Sequence, residues 1–164
     1  MDWPYALIGA LVLLAGSTAL GFLWKARTGR AAPVDSASPP AIVHAAELAP
    51  VTFSDSANTA AAPIFGDRAT LLQFSTEFCA RCPQTRTLLS SVAGGHAGVA
   101  AIDIDLGDRP DLARRFRVMQ TPTVLLLDAA GVVRSRIGGA PDRRTITEQL
   151  ELLLSKDSHV SASH

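Results

Sequence analysis

Twenty consecutive residues without a charge, Tyr5 to Trp24 (YALIGALVLLAGSTALGFLW), limit what this chain can become more than any other feature. As an α-helix rising about 1.5 Å per residue, such a run is roughly 30 Å long, the thickness of a bilayer's hydrocarbon core. A helix that packs on a soluble core carries a polar stripe on its outer face, and Ser17 and Thr18 are too few to make one. A cleaved signal peptide opens with positive charge ahead of a shorter apolar run, whereas this chain opens Met1-Asp2. Trp3, Tyr5, Phe22 and Trp24 stand near the ends of the run, where aromatic rings sit at a membrane interface. The expectation is a retained transmembrane helix over residues 5–24, preceded by a short flank over 1–4. No Lys or Arg precedes the run, and Lys25, Arg27 and Arg30 follow it. Basic residues beside a span stay on the cytoplasmic side, which predicts a single-pass protein whose C-terminal part is cytoplasmic.

Residues 25–63 read as a basic juxtamembrane segment and a linker. Pro33, Pro39, Pro40, Pro50 and Pro63 interrupt a sequence dominated by Ala and Ser, a composition that buries too little apolar surface to offset chain entropy. A disordered tether is expected there. Within it Leu48, Val51 and Phe53 mark residues 47–53 as a possible edge strand, against which Pro50 argues.

Regular signals occupy residues 64–155. Thr70 to Ser75 and Val99 to Leu106 are apolar runs of strand length. Between them Leu88, Leu89 and Val92 recur at helical spacing before Gly94-Gly95. Pro110 opens a second helix with Leu112, Ala113 and Phe116 on one face. Thr123–Leu127 and Val132–Ile137, joined through Ala129-Ala130-Gly131, form a hairpin. Thr145 with Glu148 has the form of a capping box for a last helix bearing Ile146, Leu150, Leu153 and Leu154, and residues 156–164 are left as a disordered tail. Strands alternating with helices, then a hairpin and a helix, predict an α/β sandwich around a mixed sheet.

The chemistry centres on Cys79-Ala80-Arg81-Cys82, which holds both cysteines of the chain at a strand-to-helix junction. A thiol there faces unpaired N–H groups and the positive end of the helix dipole, which favour thiolate, and Arg81 adds to that field. Thiolate is the attacking species in disulfide exchange, and a second thiol one turn on is placed to resolve the mixed disulfide. The same spacing is half of a zinc site. Tetrahedral zinc needs four ligands, and the remaining candidates, His44, His96, His159 and His164, are scattered over linker, loop and tail. Asp103 and Asp105 alternate with Ile102 and Ile104 and so share a strand face, which reads as a polar strand end. Arg109, Arg114, Arg115 and Arg117 form a basic cluster around the second helix, the mark of a solvated face. Fifteen basic residues balance fifteen acidic ones, which excludes the basic excess of a nucleic-acid-binding protein.

Some forty residues after the cysteines comes Met119-Gln120-Thr121-Pro122-Thr123. With Phe78-Cys79-Ala80-Arg81-Cys82 and the Gly138-Gly139 after the hairpin, it makes residues Ala69 to Leu154 resemble a thioredoxin-family domain. The resemblance implies a three-layer thioredoxin-like sandwich. It implies Cys79 as exposed nucleophile, Cys82 as the more buried resolving thiol, and Phe78, Ala80 and Arg81 as the rest of the active-site loop. Pro122 would be a cis-proline beside the cysteines, with Thr121 and Gly138 lining the substrate groove. No cofactor and no metal is implied beyond the Cys79–Cys82 couple. Where the family commonly has a buried aspartate this chain has Gln73, and Ala101 is aligned with the lysine that often accompanies it. Pro83 follows the second cysteine, which threatens the first helical turn, and Thr87 replaces a mid-helix proline.

The expected function is a membrane-anchored protein-disulfide reductase acting by dithiol exchange on the cytoplasmic face. Its partners would be protein disulfide substrates and a soluble electron donor of the thioredoxin-reductase type. Two other readings remain open. One is an extracytoplasmic anchored reductase of cell-envelope maturation; the other is a redox-poor thioredoxin-fold adaptor that only binds partners, for which Gln73 and Pro83 speak.

Overall fold

The computed structural model describes residues 3–27, 31–33, 42–48, 65–107 and 109–161, with side chains described over 8–21, 42–48, 65–107 and 109–155. Its elements in chain order are α1 (Trp3–Arg27), β1 (Ala31–Pro33), α2 (Ala45–Leu48), β2 (Ala69–Ser75), α3 (Cys82–Gly94), β3 (Val99–Asp105), α4 (Pro110–Arg115), β4 (Thr123–Asp128), β5 (Val133–Gly138) and α5 (Arg143–Ser161).

Every residue of β2 and of β4 is buried, as the unbroken apolar runs require of strands covered on both faces. β2 is flanked by β3, to which it is parallel, and by β4, to which it is antiparallel. β4 pairs antiparallel with β5. This four-stranded mixed sheet, a thioredoxin-like arrangement, is extended at its β5 edge by β1, giving the order β1-β5-β4-β2-β3. Alternation along the strands then divides the core in two. On one face Leu71, Val124, Leu126 and Ile137 pack with Leu89 and Val92 of α3 and with Ile146, Leu150 and Leu153 of α5. On the other, Leu72, Phe74, Ile102, Leu125 and Leu127 pack with Leu112 and Phe116, and also with Val43 and Leu48.

Those last two residues correct the expectation of a disordered linker. Val43 and Leu48 are buried in the core, and arginine contacts hold the segment down. Arg109 donates to Glu47 O (2.7 Å) and Leu48 O (3.3 Å), while Arg115 pairs with the Glu47 carboxylate at 2.8 Å. Val43 N donates to Gly131 O at 2.9 Å. A Cβ on Gly131 would lie 2.5 Å from Val43 O, and its φ of +76° is one that side chains disfavour; the β4–β5 turn needs glycine for both reasons. The edge strand expected over 47–53 is not formed at Glu47 and Leu48, which belong to α2, and residues 49–53 lie outside those described. The sheet edge is taken by β1 instead. Residues 28–30, 34–41 and 49–63 of the expected linker lie outside the described residues.

The uncharged run falls within α1. Ile8, Leu11, Val12, Leu13, Leu14 and Leu20, spread around the whole helix at 100° per residue, are all exposed. Ser17 and Thr18 turn their hydroxyls back to Leu14 O, so neither makes a polar face. Among the described residues, no helix is long and apolar enough to cross a membrane. The described side chains of α1 run from Ile8 to Gly21, about 21 Å of helix, so the expected transmembrane helix over 5–24 is seen here as an apolar helix and not as a span.

The last helix starts earlier than its capping pattern suggested, and it runs on through Ser161 into the expected tail; residues 162–164 lie outside the described set. Thr145 does not cap it. Asp142 Oδ1 accepts the Thr145 N–H at 2.7 Å, and Glu148 is drawn to Arg144. That backbone bond holds the Asp142 carboxyl below its usual range, so its stabilising effect is present above about pH 4 and is lost as pH falls through the lowered folded value. Asp142→Ala should cost about 1 kcal/mol of stability at pH 7. Urea titrations of parent and variant should show that deficit at pH 7 and a smaller one near pH 2.

Candidate active site

β2 ends at Ser75, the chain turns through Thr76 to Phe78, and α3 begins at Cys82. This places Cys79 in the turn and Cys82 on the first turn of the helix. The two are joined by a disulfide, with Cα atoms 5.4 Å apart. They are not equivalent: Cys82 is 2% exposed, whereas Cys79 is partly open to solvent. The turn is held by Cys79 N donating to Thr76 O (3.1 Å) and Cys82 N to Cys79 O (3.1 Å). Ala80 and Arg81 are exposed, and Arg81 O accepts from both the backbone N and the hydroxyl of Thr85. Pro83 leaves the helix intact, because α3 runs unbroken from Cys82 to Gly94. In the first turn the backbone N–H has no intrahelical acceptor, so proline removes nothing there.

The Thr121–Pro122 peptide is cis, with Thr121 half-buried and Pro122 buried. Thr121 and Thr76 share a hydroxyl–hydroxyl hydrogen bond at 3.3 Å, which joins this loop to the cysteine turn. Pro122 O accepts from Gly139 N at 2.8 Å, and Thr123 Oγ1 donates to Gln120 O at 2.7 Å. Gly138 stands opposite Thr123 in the β4–β5 register, and a Cβ there would meet the flexible end of Gln120. The structure thus brings Cys79, Cys82, Thr121 and Pro122 to one end of the sheet. Phe78 is 89% and Met119 91% exposed, so each of the two loops carries a bare apolar side chain.

Behind the cysteines lies a polar layer. Gln73 is 1% exposed and its Nε2 donates to Cys82 O at 3.1 Å. Its partner in the parallel register is Asp103, while Ala101 stands beside Leu71. A carboxylate, that of Asp103, is therefore present in this layer. Asp103 Oδ2 accepts from Ser75 Oγ (3.1 Å) and from Arg86 Nε (2.9 Å), and forms an ion pair with Arg86. Burial pushes the Asp103 carboxyl above its usual range, against the opposing pull of Arg86 and then Ser75. Asp105, on the same strand face, is exposed and accepts the Gly107 N–H.

Among the described residues, no group of three or more His, Cys, Asp or Glu could hold a metal ion. His96 is occupied at the end of α3, its Nδ1 2.8 Å from Val92 O. Of the basic cluster, Arg109 and Arg115 serve to hold residues 42–48. Thr76, Arg86 and Met119 were not singled out as site residues from sequence. Only Arg86 had a usable signal, four residues after Cys82 and hence one helical turn along the same face.

Residues 51–151 match the family model described as Thioredoxin. A thioredoxin of Mycolicibacterium smegmatis is 31% identical over 83 residues, 49% of this chain and 73% of that protein. A thioredoxin of Chlorobaculum thiosulfatiphilum is 25% identical over 76 residues, 46% of this chain and 70% of its own. Among solved structures, the germline-specific thioredoxin Deadhead from Drosophila melanogaster is similar, with 24% identity, 53% of this chain and 82% of that chain covered, and a TM-score of 0.47.

Proposed function

The chain belongs to the thioredoxin family and is a thiol-disulfide oxidoreductase, and from that premise we propose that it works as a membrane-anchored protein-disulfide reductase. The observation that carries the reading is the inequality of its two sulfurs. Cys79 is partly open to an approaching substrate, while Cys82 is covered and disulfide-bonded to Cys79. In the reduced protein, Cys79 thiolate attacks a substrate disulfide, and Cys82 then displaces the substrate from the mixed disulfide. Thr121 and Gly138 flank the extended substrate segment beside Pro122, and Phe78 and Met119 offer it apolar contact. No cofactor enters, since the couple itself carries two electrons.

Anchoring rests on α1, whose described side chains, Ser17 and Thr18 apart, are apolar and exposed on all sides, the pattern of a helix solvated by lipid. Lys25, Arg27 and Arg30 after it support a catalytic domain on the cytoplasmic face. There a soluble reductase would return the couple to the dithiol. An alkaline-phosphatase reporter fused after His164 should be inactive in cells; activity would move the same chemistry to the outer face. Cys82→Ser should accumulate mixed disulfides with protein substrates that mass spectrometry identifies at Cys79. Failure of that variant to trap any protein, with Cys79 shown to be free and accessible, would leave the domain as a binding module.

A further inference from the structure

The strand that extends the sheet is also the element that follows α1 in the chain. β1 pairs antiparallel with β5, Ala31 opposite Ile137 and Pro33 opposite Ser135. On its other side β5 sets Ile137 opposite Val124 and Gly138 opposite Thr123, the residue after the cis Thr121–Pro122 peptide. The chain coming from α1 therefore enters the sheet at its catalytic end. Two strand spacings, about 10 Å, separate Ala31 from Val124. Only residues 28–30 lie between Arg27, the last residue of α1, and Ala31, and so short a piece reaches at most about 14 Å when extended. The end of α1 thus lies within about 25 Å of Val124. The next attachment is at the other end of the same edge, where Ile42 bridges to Val132 at the β4–β5 turn. Held only there, the domain would hang by its non-catalytic end from up to about 50 Å of chain.

We infer that β1 fixes the height at which the reductase works, and that its substrates are disulfides of membrane-bound proteins close to the bilayer surface. This rests on the anchored-reductase reading above, in which the uncharged run ends at Trp24 and the last turn of α1 marks the surface. A catalytic end held near that surface meets disulfides in the juxtamembrane segments of other membrane proteins, because both partners diffuse in one plane. A disulfide carried far above the surface is out of reach, since a connection too short to span two sites gives an effective concentration near zero. Phe78 and Met119, 89% and 91% exposed on the two loops at that end, suit the apolar chain that flanks a membrane span. Each turnover leaves Cys79 and Cys82 as their disulfide and the substrate as two thiols. Two electrons and two protons have passed to the substrate, and a soluble reductant restores the dithiol.

The test uses the full chain in phosphatidylcholine–phosphatidylglycerol vesicles that also contain a probe peptide. The probe is a transmembrane helix continued unbroken out of the bilayer, with one glutathionylated cysteine about 15 Å or about 60 Å above the surface, roughly 10 or 40 residues of helix. Glutathione release is started with dithiothreitol, and the rate in vesicles without the protein is subtracted. The parent should favour the near probe about 10-fold or more. An insertion of about 40 Gly and Ser residues between Gly29 and Arg30, with an r.m.s. length of about 35 Å, should shrink that preference at least about 5-fold. The same insertion between Pro39 and Pro40 should keep the parent's preference, because β1 still holds the catalytic end down. The ratio of near to far rates cancels any overall loss of activity in a variant. A parent without the preference, or a Gly29–Arg30 insertion that changes it no more than the Pro39–Pro40 insertion does, overturns the inference. A parent that fails to float with the vesicles overturns the anchoring reading, and one that floats but leaves a soluble glutathionylated peptide unreduced overturns the reductase reading; the inference falls with either.

Discussion

Cys79→Ser abolishes turnover of protein disulfides, down to the rate of buffer alone, whereas Cys82→Ser keeps the first half-reaction and stalls there. The difference follows from electron counting. Reduction of one disulfide needs two electrons, and the only sulfur pair able to supply them is Cys79–Cys82, since the chain has two cysteines. With Cys79 gone, the buried Cys82, 2% exposed, cannot be reached by a protein substrate. With Cys82 gone, the accessible Cys79 still attacks, but nothing displaces the substrate. Turnover is read as thiol release from a disulfide-bonded protein in the presence of a chemical reductant, and the stalled species as a mass increment on Cys79. Because the disulfide closes so short a loop, its removal also has a modest effect on stability, on the order of 2 kcal/mol in the chain-entropy account. Comparing reduced proteins removes that difference, and under those conditions Cys79→Ser should unfold at the parent's urea concentration. Equal turnover by Cys79→Ser and parent would remove the cysteine pair from the mechanism.

What could be read in the sequence were the features that local pattern determines. β2 and β4 were legible because strands covered on both faces are unbroken apolar runs, and the cysteine turn was legible because a strand ends just before it and a helix begins just after. The relation of Gln73 to its neighbour was not legible. In a parallel pair the register is set by the crossover through α3 and not by any local signal. A slip of two residues keeps every side chain on its face, so alternation cannot tell Ala101 from Asp103. The cap of α5 failed for a similar reason. Asp142 and Thr145 are both capping residue types three positions apart, and the choice is made by where Ile146 and Leu150 enter the core. Residues 42–48 were hidden more deeply. Their composition is that of a tether, and the groups that hold them, Arg109, Arg115 and Gly131, lie some 60 to 90 residues away in the chain.

That docked segment carries the largest stability effect expected outside the main sheet. Leu48 is 0% exposed and sits with Val43 against Leu72, Phe74, Leu112 and Phe116, so Leu48→Ala removes buried methyl groups and leaves a cavity, at a cost of about 2–5 kcal/mol. With a urea dependence of about 1–3 kcal/mol per molar for a domain of this size, the unfolding midpoint should fall by roughly 1–2 M. The arginine clamp should contribute much less, because the Arg115–Glu47 pair is half exposed and such pairs are worth about 0–1 kcal/mol. Arg115→Ala is therefore expected to move the midpoint little, although the bond geometry looks favourable. Leu14→Ala, on the exposed surface of α1, serves as the control and should stay within about 0.5 kcal/mol of the parent. If Leu48→Ala unfolded together with that control, residues 42–48 would be a free tether and the core on this face would close without them. If it unfolds early while still forming the Cys79 mixed disulfide in native buffer, the segment belongs to the fold and not to the catalytic machinery, the division that its distance in sequence from both active-site loops leads one to expect.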